Sequence, residues 1–183
     1  MISFHSKGAR LAAWIFVVFA ALNLADIAYR GRDRSSAVAA AVLLLGCGCA
    51  YVLGLRPKVV GDDAGVRVVN PLRTYTLPWP SVQEIGTGRV LTLTYDGGSV
   101  QAWAVQTSER PKGRPKRKQP VAAIPDKIAE AVKDRTPVDF AVEQLAGLKA
   151  RSTEAGRPSV AWSPLAIGSL AVPLLAVLVL AVL

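Results

Sequence analysis

Three long apolar runs divide the chain. The first covers residues 11–29 (LAAWIFVVFAALNLADIAY) and the second 37–55 (AVAAAVLLLGCGCAYVLGL). The third begins at residue 158 and carries no charged side chain through residue 183. Crossing about 30 Å of hydrocarbon takes roughly 20 helical residues, and each run is long enough. A core helix of a soluble protein shows a polar face; the second and third runs have none. The pattern predicts transmembrane helices at 11–29, 37–55 and 160–183. The turn between the first two, 30–36 (RGRDRSS), is short, so they form an antiparallel hairpin with Ser35 and Ser36 able to cap the second helix. A cleaved leader is the competing reading of the first run, because Lys7 and Arg10 precede it. The second run follows too closely, and no small-x-small cleavage site precedes the Arg-rich turn, so the hairpin accounts for more.

After residue 56 the periodicity changes. Residues 66–70 (VRVVN), 73–77 (RTYTL), 82–85 (VQEI), 90–95 (VLTLTY) and 100–106 (VQAWAVQ) read as short strands. They are separated by turn signals at Asn70-Pro71, Pro78-Trp79-Pro80, Gly86-Thr87-Gly88 and Asp96-Gly97-Gly98-Ser99. About five such strands at this spacing predict an antiparallel sheet, sandwich or partly open barrel over 57–108. Trp79 and Trp103 are expected in its core, since buried aromatics dominate the energetics of small domains. Residues 109–120 (ERPKGRPKRKQP) change texture again, to a basic, proline-rich loop. Residues 121–150 then read as helical, broken near Thr136-Pro137, with Val138, Ala141, Val142, Leu145 and Leu148 forming an apolar stripe.

Composition sharpens this picture. Of 183 residues, 51% are hydrophobic, and the net charge is +9. The basic excess is concentrated in one place: Arg110, Lys112, Arg114, Lys116, Arg117 and Lys118 are the candidate contacts for an anionic surface. A solvated loop and a lipid-contacting loop both fit them. Nucleic acid fits less well, because no aromatics are interleaved and no recognition motif is present.

Catalytic chemistry has little to draw on. His5 is the single histidine, and both cysteines, Cys47 and Cys49, lie inside the second apolar run. Nitrogen–sulfur metal sites and histidine-based triads are excluded from the polar region on residue count. No cofactor is expected. Asp62-Asp63 reads as a turn. Gly46-Cys47-Gly48-Cys49-Ala50 reads as a small-residue surface for close helix packing. Asn23 is expected to bond across to the neighbouring helix, and Asp26 to reach the interface. Trp14 and Trp162 lie near the ends of apolar runs, where indole favours the interface.

The segment from about 59 to 106 resembles a bacterial PH-like domain family of small actinobacterial membrane proteins. The motifs that carry the resemblance are Asp62 to Gly65, Asn70 to Arg73, Trp79, Val82 with Ile85, Asp96-Gly97, and Ala102-Trp103-Ala104-Val105-Gln106. The family's pattern includes two preceding transmembrane helices. The resemblance implies a bent antiparallel sheet closed by a C-terminal helix, and it implies no settled activity.

The expected fold class is therefore membrane-anchored α+β: an N-terminal transmembrane hairpin within 1–56, a small antiparallel PH-like β domain with a C-terminal helix, and a C-terminal transmembrane helix. The expected role is non-catalytic, with the domain presented to a protein or lipid surface. The alternative is an accessory subunit whose helices carry the function. Lys and Arg near the membrane ends favour a multi-pass protein of the cell membrane with its domain in the cytoplasm.

Overall fold

A computed structural model describes residues 1–86, 89–106, 137–152 and 156–182. Helices lie at both ends of the chain, with antiparallel sheets between them. Strand β1 (Ile2–Phe4) precedes helix α1 (Lys7–Arg30), which is followed by α2 (Arg34–Ala50) and a π-helical turn (Tyr51–Leu55). Six strands follow: β2 (Lys58–Gly61), β3 (Gly65–Val69), β4 (Arg73–Pro78), β5 (Val82–Gly86), β6 (Val90–Tyr95) and β7 (Gly98–Gln106). Helix α3 (Pro137–Lys149), strand β8 (Ser159–Trp162) and helix α4 (Pro164–Val182) complete the described chain.

Three helices are long and apolar enough to cross a membrane: Lys7–Arg30, Arg34–Leu55 and Pro164–Val182. Helix α2 lies between the other two, and its glycines allow the contact. A Cβ at Gly46 would meet the Phe16 ring of α1 at 2.5 Å, and one at Gly48 would meet the Ser169 carbonyl oxygen of α4 at 2.1 Å. At the far end, Arg34 reaches across to α4 and donates twice to the Leu180 carbonyl, at 2.9 and 2.7 Å. That cation occupies one of the carbonyls every helix C-terminus leaves open.

Two local expectations change here. Asp33, not a serine, caps α2 by accepting from the Ser36 N–H at 3.3 Å. The hydroxyls of Ser35 and Ser36 also donate to its carboxylate. These hydrogen bonds, Ser35's first, hold the Asp33 carboxyl below its ordinary value. Asn23 does not cross to a neighbour; its side-chain amide donates to the Phe19 carbonyl of its own helix, 2.8 Å away. Asp26 pairs with Arg30 one turn on, at 3.2 Å.

The β region is two sheets, where the sequence suggested about five strands in one sheet, sandwich or barrel. The larger has the order β1-β2-β3-β4-β8 and the smaller β5-β6-β7, with every pairing antiparallel. Strands β1, β2 and β8 have no counterpart among the expected strands; β8 occupies the start of the third apolar run, so α4 begins at Pro164 rather than 160. The β6–β7 hairpin turns at Gly98, whose φ of 128° favours glycine. Alternating residues from both sheets form one core with α3 across it. Val138, Ala141 and Leu145 of the α3 stripe are fully buried there, and Leu145 packs over Gly61 of β2.

Trp79 sits in that core, 1% exposed, and its indole N–H donates to the Asp62 carbonyl at 2.8 Å. The Asp62 carboxylate in turn accepts from the Ala64 and Gly65 amides, so the acidic pair is a turn. Trp103 does not join the core. It is 53% exposed, because Val100, Ala102 and Ala104 take the inward positions of β7 and strand parity sends residue 103 outward.

Candidate functional site

All three apolar helices meet the larger sheet. Strand β1 reaches α1 through His5 and Ser6, α2 reaches β2 through Arg56 and Pro57, and β8 reaches α4 through Ser163 alone. Ser6 caps α1 by accepting from the Ala9 N–H at 3.3 Å. Ser163 accepts from the Ala166 amide at 3.3 Å, and its own N–H donates to the Leu72 carbonyl at 2.9 Å. Both serines therefore cap the helix that follows them, and Ser163 is also tied to the β3–β4 turn.

Arg56 extends the connection. Its guanidinium donates to the carbonyls of Asn70 and Pro71, the latter at 2.7 Å, and to the Thr74 hydroxyl at 3.1 Å. This cation follows the π-helical turn that ends α2 and grips the turn between β3 and β4. On that turn, the Asn70 side chain bridges to the smaller sheet. It donates to the Gln101 carbonyl at 2.8 Å and accepts from the Trp103 N–H at 3.1 Å. Arg73 lies over the Trp162 ring, 4.0 Å from its centroid. Trp162 is thus a sheet-edge residue stacked on a cation.

The second end of the Asn70 bridge is an irregular stretch. Leu91 pairs with Ala102, but Val90 pairs with Gln106, so residues 103–105 bulge from the β6–β7 ladder. Bulges leave backbone groups unpaired and re-aim side chains. Asn70 satisfies the Trp103 N–H, and the Gln106 amide donates to the Trp103 carbonyl at 3.2 Å. The motif Ala102 to Gln106 therefore supplies both the bulge and one of its supports, and the motif beginning at Asn70 supplies the other.

The bulge forms one wall of a crevice of about 720 Å³. The opposite walls come from the end of β1, the first turn of α1 and the π-helical turn after α2. Trp103 and Gln106 face Phe4, His5, Lys7 and Leu53 across it. Among the described residues, no aspartate or glutamate lines it. Sequence reasoning missed this site, and the exposed parity of Trp103 was its one local signal. The basic candidates Arg110, Lys112, Arg114, Lys116, Arg117 and Lys118 lie outside the described residues, as does the segment 121–136. Among the described residues, no cluster of His, Cys, Asp or Glu is large enough to hold a metal ion.

Replacing Asn70 with alanine should detach the bulge from the β3–β4 turn. Loss of its two side-chain hydrogen bonds, each contributing about 1 kcal/mol, should speed amide exchange at Trp103 while leaving the distant β6–β7 hairpin protected. Hydrogen exchange read by mass spectrometry checks this. Uniform exchange across β7 would remove Asn70 from the bridging role.

Residues 56–114 match the family model described as Bacterial PH domain. No curated protein and no solved structure gives a significant match to the chain. The matched segment opens on Arg56 and includes the six central strands, the Asn70 turn and the Trp103 bulge. The chain thus carries a domain of the bacterial PH-like family, set between three apolar helices.

Proposed function

We propose that this is an integral membrane protein that presents its PH-like domain at the membrane as a non-catalytic binding module for a protein or lipid surface. One observation carries the reading: each apolar helix joins the larger sheet through only one or two residues. A spacer on a flexible tether would not need such joints. A domain that must meet a partner in one orientation gains from them, because less freedom is lost on binding. The cations of the 109–120 loop, at 110, 112, 114, 116, 117 and 118, are the candidate contacts for anionic lipid. Their attraction to such a surface is about 1 kcal/mol each.

Photo-crosslinking in native membranes tests this. A photoreactive residue at Arg67 or Ser99 in the domain should give protein or lipid adducts. One at Phe19 or Leu178, on outward helix faces, should give only bulk lipid. Protein adducts confined to the helical positions would support the accessory-subunit reading instead.

The orientation follows from charge and pairing. Lys7, Arg10, Arg56, Lys58, Arg67, Arg73, Arg151 and Arg157 belong to the proposed cytoplasmic side, against Arg30, Arg32 and Arg34 in the opposite turn. Pairing of β1 with β2 supports placing the N-terminus beside the domain. With Cys47 and Cys49 changed to alanine, a cysteine placed at exposed Ser99 should resist an impermeant thiol reagent in intact cells and react after lysis. Labelling of intact cells would invert the arrangement.

A further inference from the structure

We infer that the crevice beneath the Trp103 bulge holds an anionic phospholipid, its phosphate against Lys7 and its upper acyl region against Leu53 and Trp103. The inference rests on the membrane reading above and assigns it a site of its own, apart from the basic run.

The crevice lies where helices meet sheet. Two of its walls, around Lys7 and Leu53, belong to the first turn of one apolar helix and the last turn of another. In a bilayer that level is the headgroup layer, so a lipid is present there at high local concentration without diffusing to the site. The lining has the matching division. Phe4, Leu53 and the Trp103 ring supply the apolar surface, while Lys7 and His5 supply donors.

Charge gives the sign. Among the described residues, Lys7 has no acidic neighbour in the lining and forms no ion pair. An ammonium beside a half-enclosed apolar space favours an anion there. Leu53 identifies the source of that anion. It lines the crevice, is 53% exposed and stands in the last turn of an apolar helix. The apolar side of the crevice is therefore continuous with surface that hydrocarbon covers, which suits an acyl chain and serves no purpose for a free phosphate.

Trp103 provides the independent observation. Strand parity turns Trp103 out of the core, and the three-residue bulge that carries it, held by Asn70 and Gln106, lines this space. Its indole N–H has no hydrogen-bond partner among the described residues. Indoles with an apolar ring and a free N–H favour the zone between hydrocarbon and water.

The test uses the full chain in nanodiscs carrying phospholipids brominated near the carbonyl end of the acyl chain. The quenching of each tryptophan is taken as the difference between the parent and its phenylalanine variant. Brominated phosphatidylglycerol, diluted into unlabelled phosphatidylcholine, should quench Trp103 at lower mole fraction than brominated phosphatidylcholine does. Lys7→Gln should weaken that preference about five-fold. Lys7→Arg should restore it, and Lys58→Gln, at a cation outside the crevice, should leave it unchanged.

Glycerol 3-phosphate added to the buffer should not compete; full competition would assign the crevice to a soluble phosphate and overturn the lipid. Equal quenching of Trp103 by both lipids, with Trp14 in α1 quenched normally, would overturn the crevice proposal alone. Absence of Trp14 quenching by either lipid would overturn the membrane reading and this inference with it.

Discussion

Trp79→Ala should lower the stability of the β domain by about 3–5 kcal/mol, the usual range for deleting a buried aromatic. The ring is fully enclosed by side chains of both sheets and α3, and its N–H satisfies the Asp62 carbonyl. The alanine variant loses the packing, leaves a cavity and strands that carbonyl. A whole domain is stabilised by only about 5–15 kcal/mol, so this loss should leave strands open to protease while the helical bundle still resists it. Trp79→Phe should separate the two contributions, keeping most of the packing and losing about 1 kcal/mol for the hydrogen bond. Limited proteolysis in detergent, followed against denaturant, gives both values. An alanine variant within about 1 kcal/mol of the parent would remove Trp79 from the core.

Gly48→Ala should damage the packing of the helices, by overpacking rather than by a cavity. The added methyl would stand 2.1 Å from the Ser169 carbonyl oxygen and 2.9 Å from its carbon. Those are backbone atoms, which cannot rotate away, so α4 must move off α2. Overpacking of this kind costs about 1–3 kcal/mol or more. The displacement should also reach the sheet, because β8 ends one residue before α4. Trp162 should then lose its stacking on Arg73, with a shift in its fluorescence. Gly168→Ala is the control: a Cβ there meets nothing within 4 Å, and alanine favours the helix by about 1 kcal/mol. If both variants keep the parent's thermal midpoint, α2 and α4 do not touch as described.

The sequence disclosed those elements whose signal is local. Uninterrupted apolar runs marked the three helices, and alternation with turn dipeptides marked β3 to β7, while the four residues of β2 went unmarked. The α3 stripe was equally plain, since Val138, Ala141 and Leu145 recur at helical spacing. The two outer strands were hidden for the opposite reason. Residues 2–4 are too few to show a period, and their partners lie at 59–61. Residues 159–162 merge with the apolar run that follows, and only pairing with Arg73–Thr76 distinguishes them. Trp103 was misjudged by weighing residue type over parity, although the alanines on either side already occupied the inward positions. The crevice was illegible because its walls come from segments about a hundred positions apart in sequence, joined by a strand that could not be seen.

The brevity of the joints ties two geometries that most tethered domains keep separate. Each residue advances an α-helix by roughly 100°, and each residue of a strand reverses the face it presents. With only Ser163 between β8 and α4, the azimuth of the helix is set by the register of the strand. Inserting one residue there would force a choice. Either Trp162 stays over Arg73 and the face of α4 beside Gly48 swings about a quarter-turn away, or the helix keeps its seat and β8 slips. The same phase relation holds at Arg56-Pro57 and His5-Ser6. Joint length is consequently a geometric constraint of this architecture: one residue more or fewer at any joint breaks the phase between strand register and helix face.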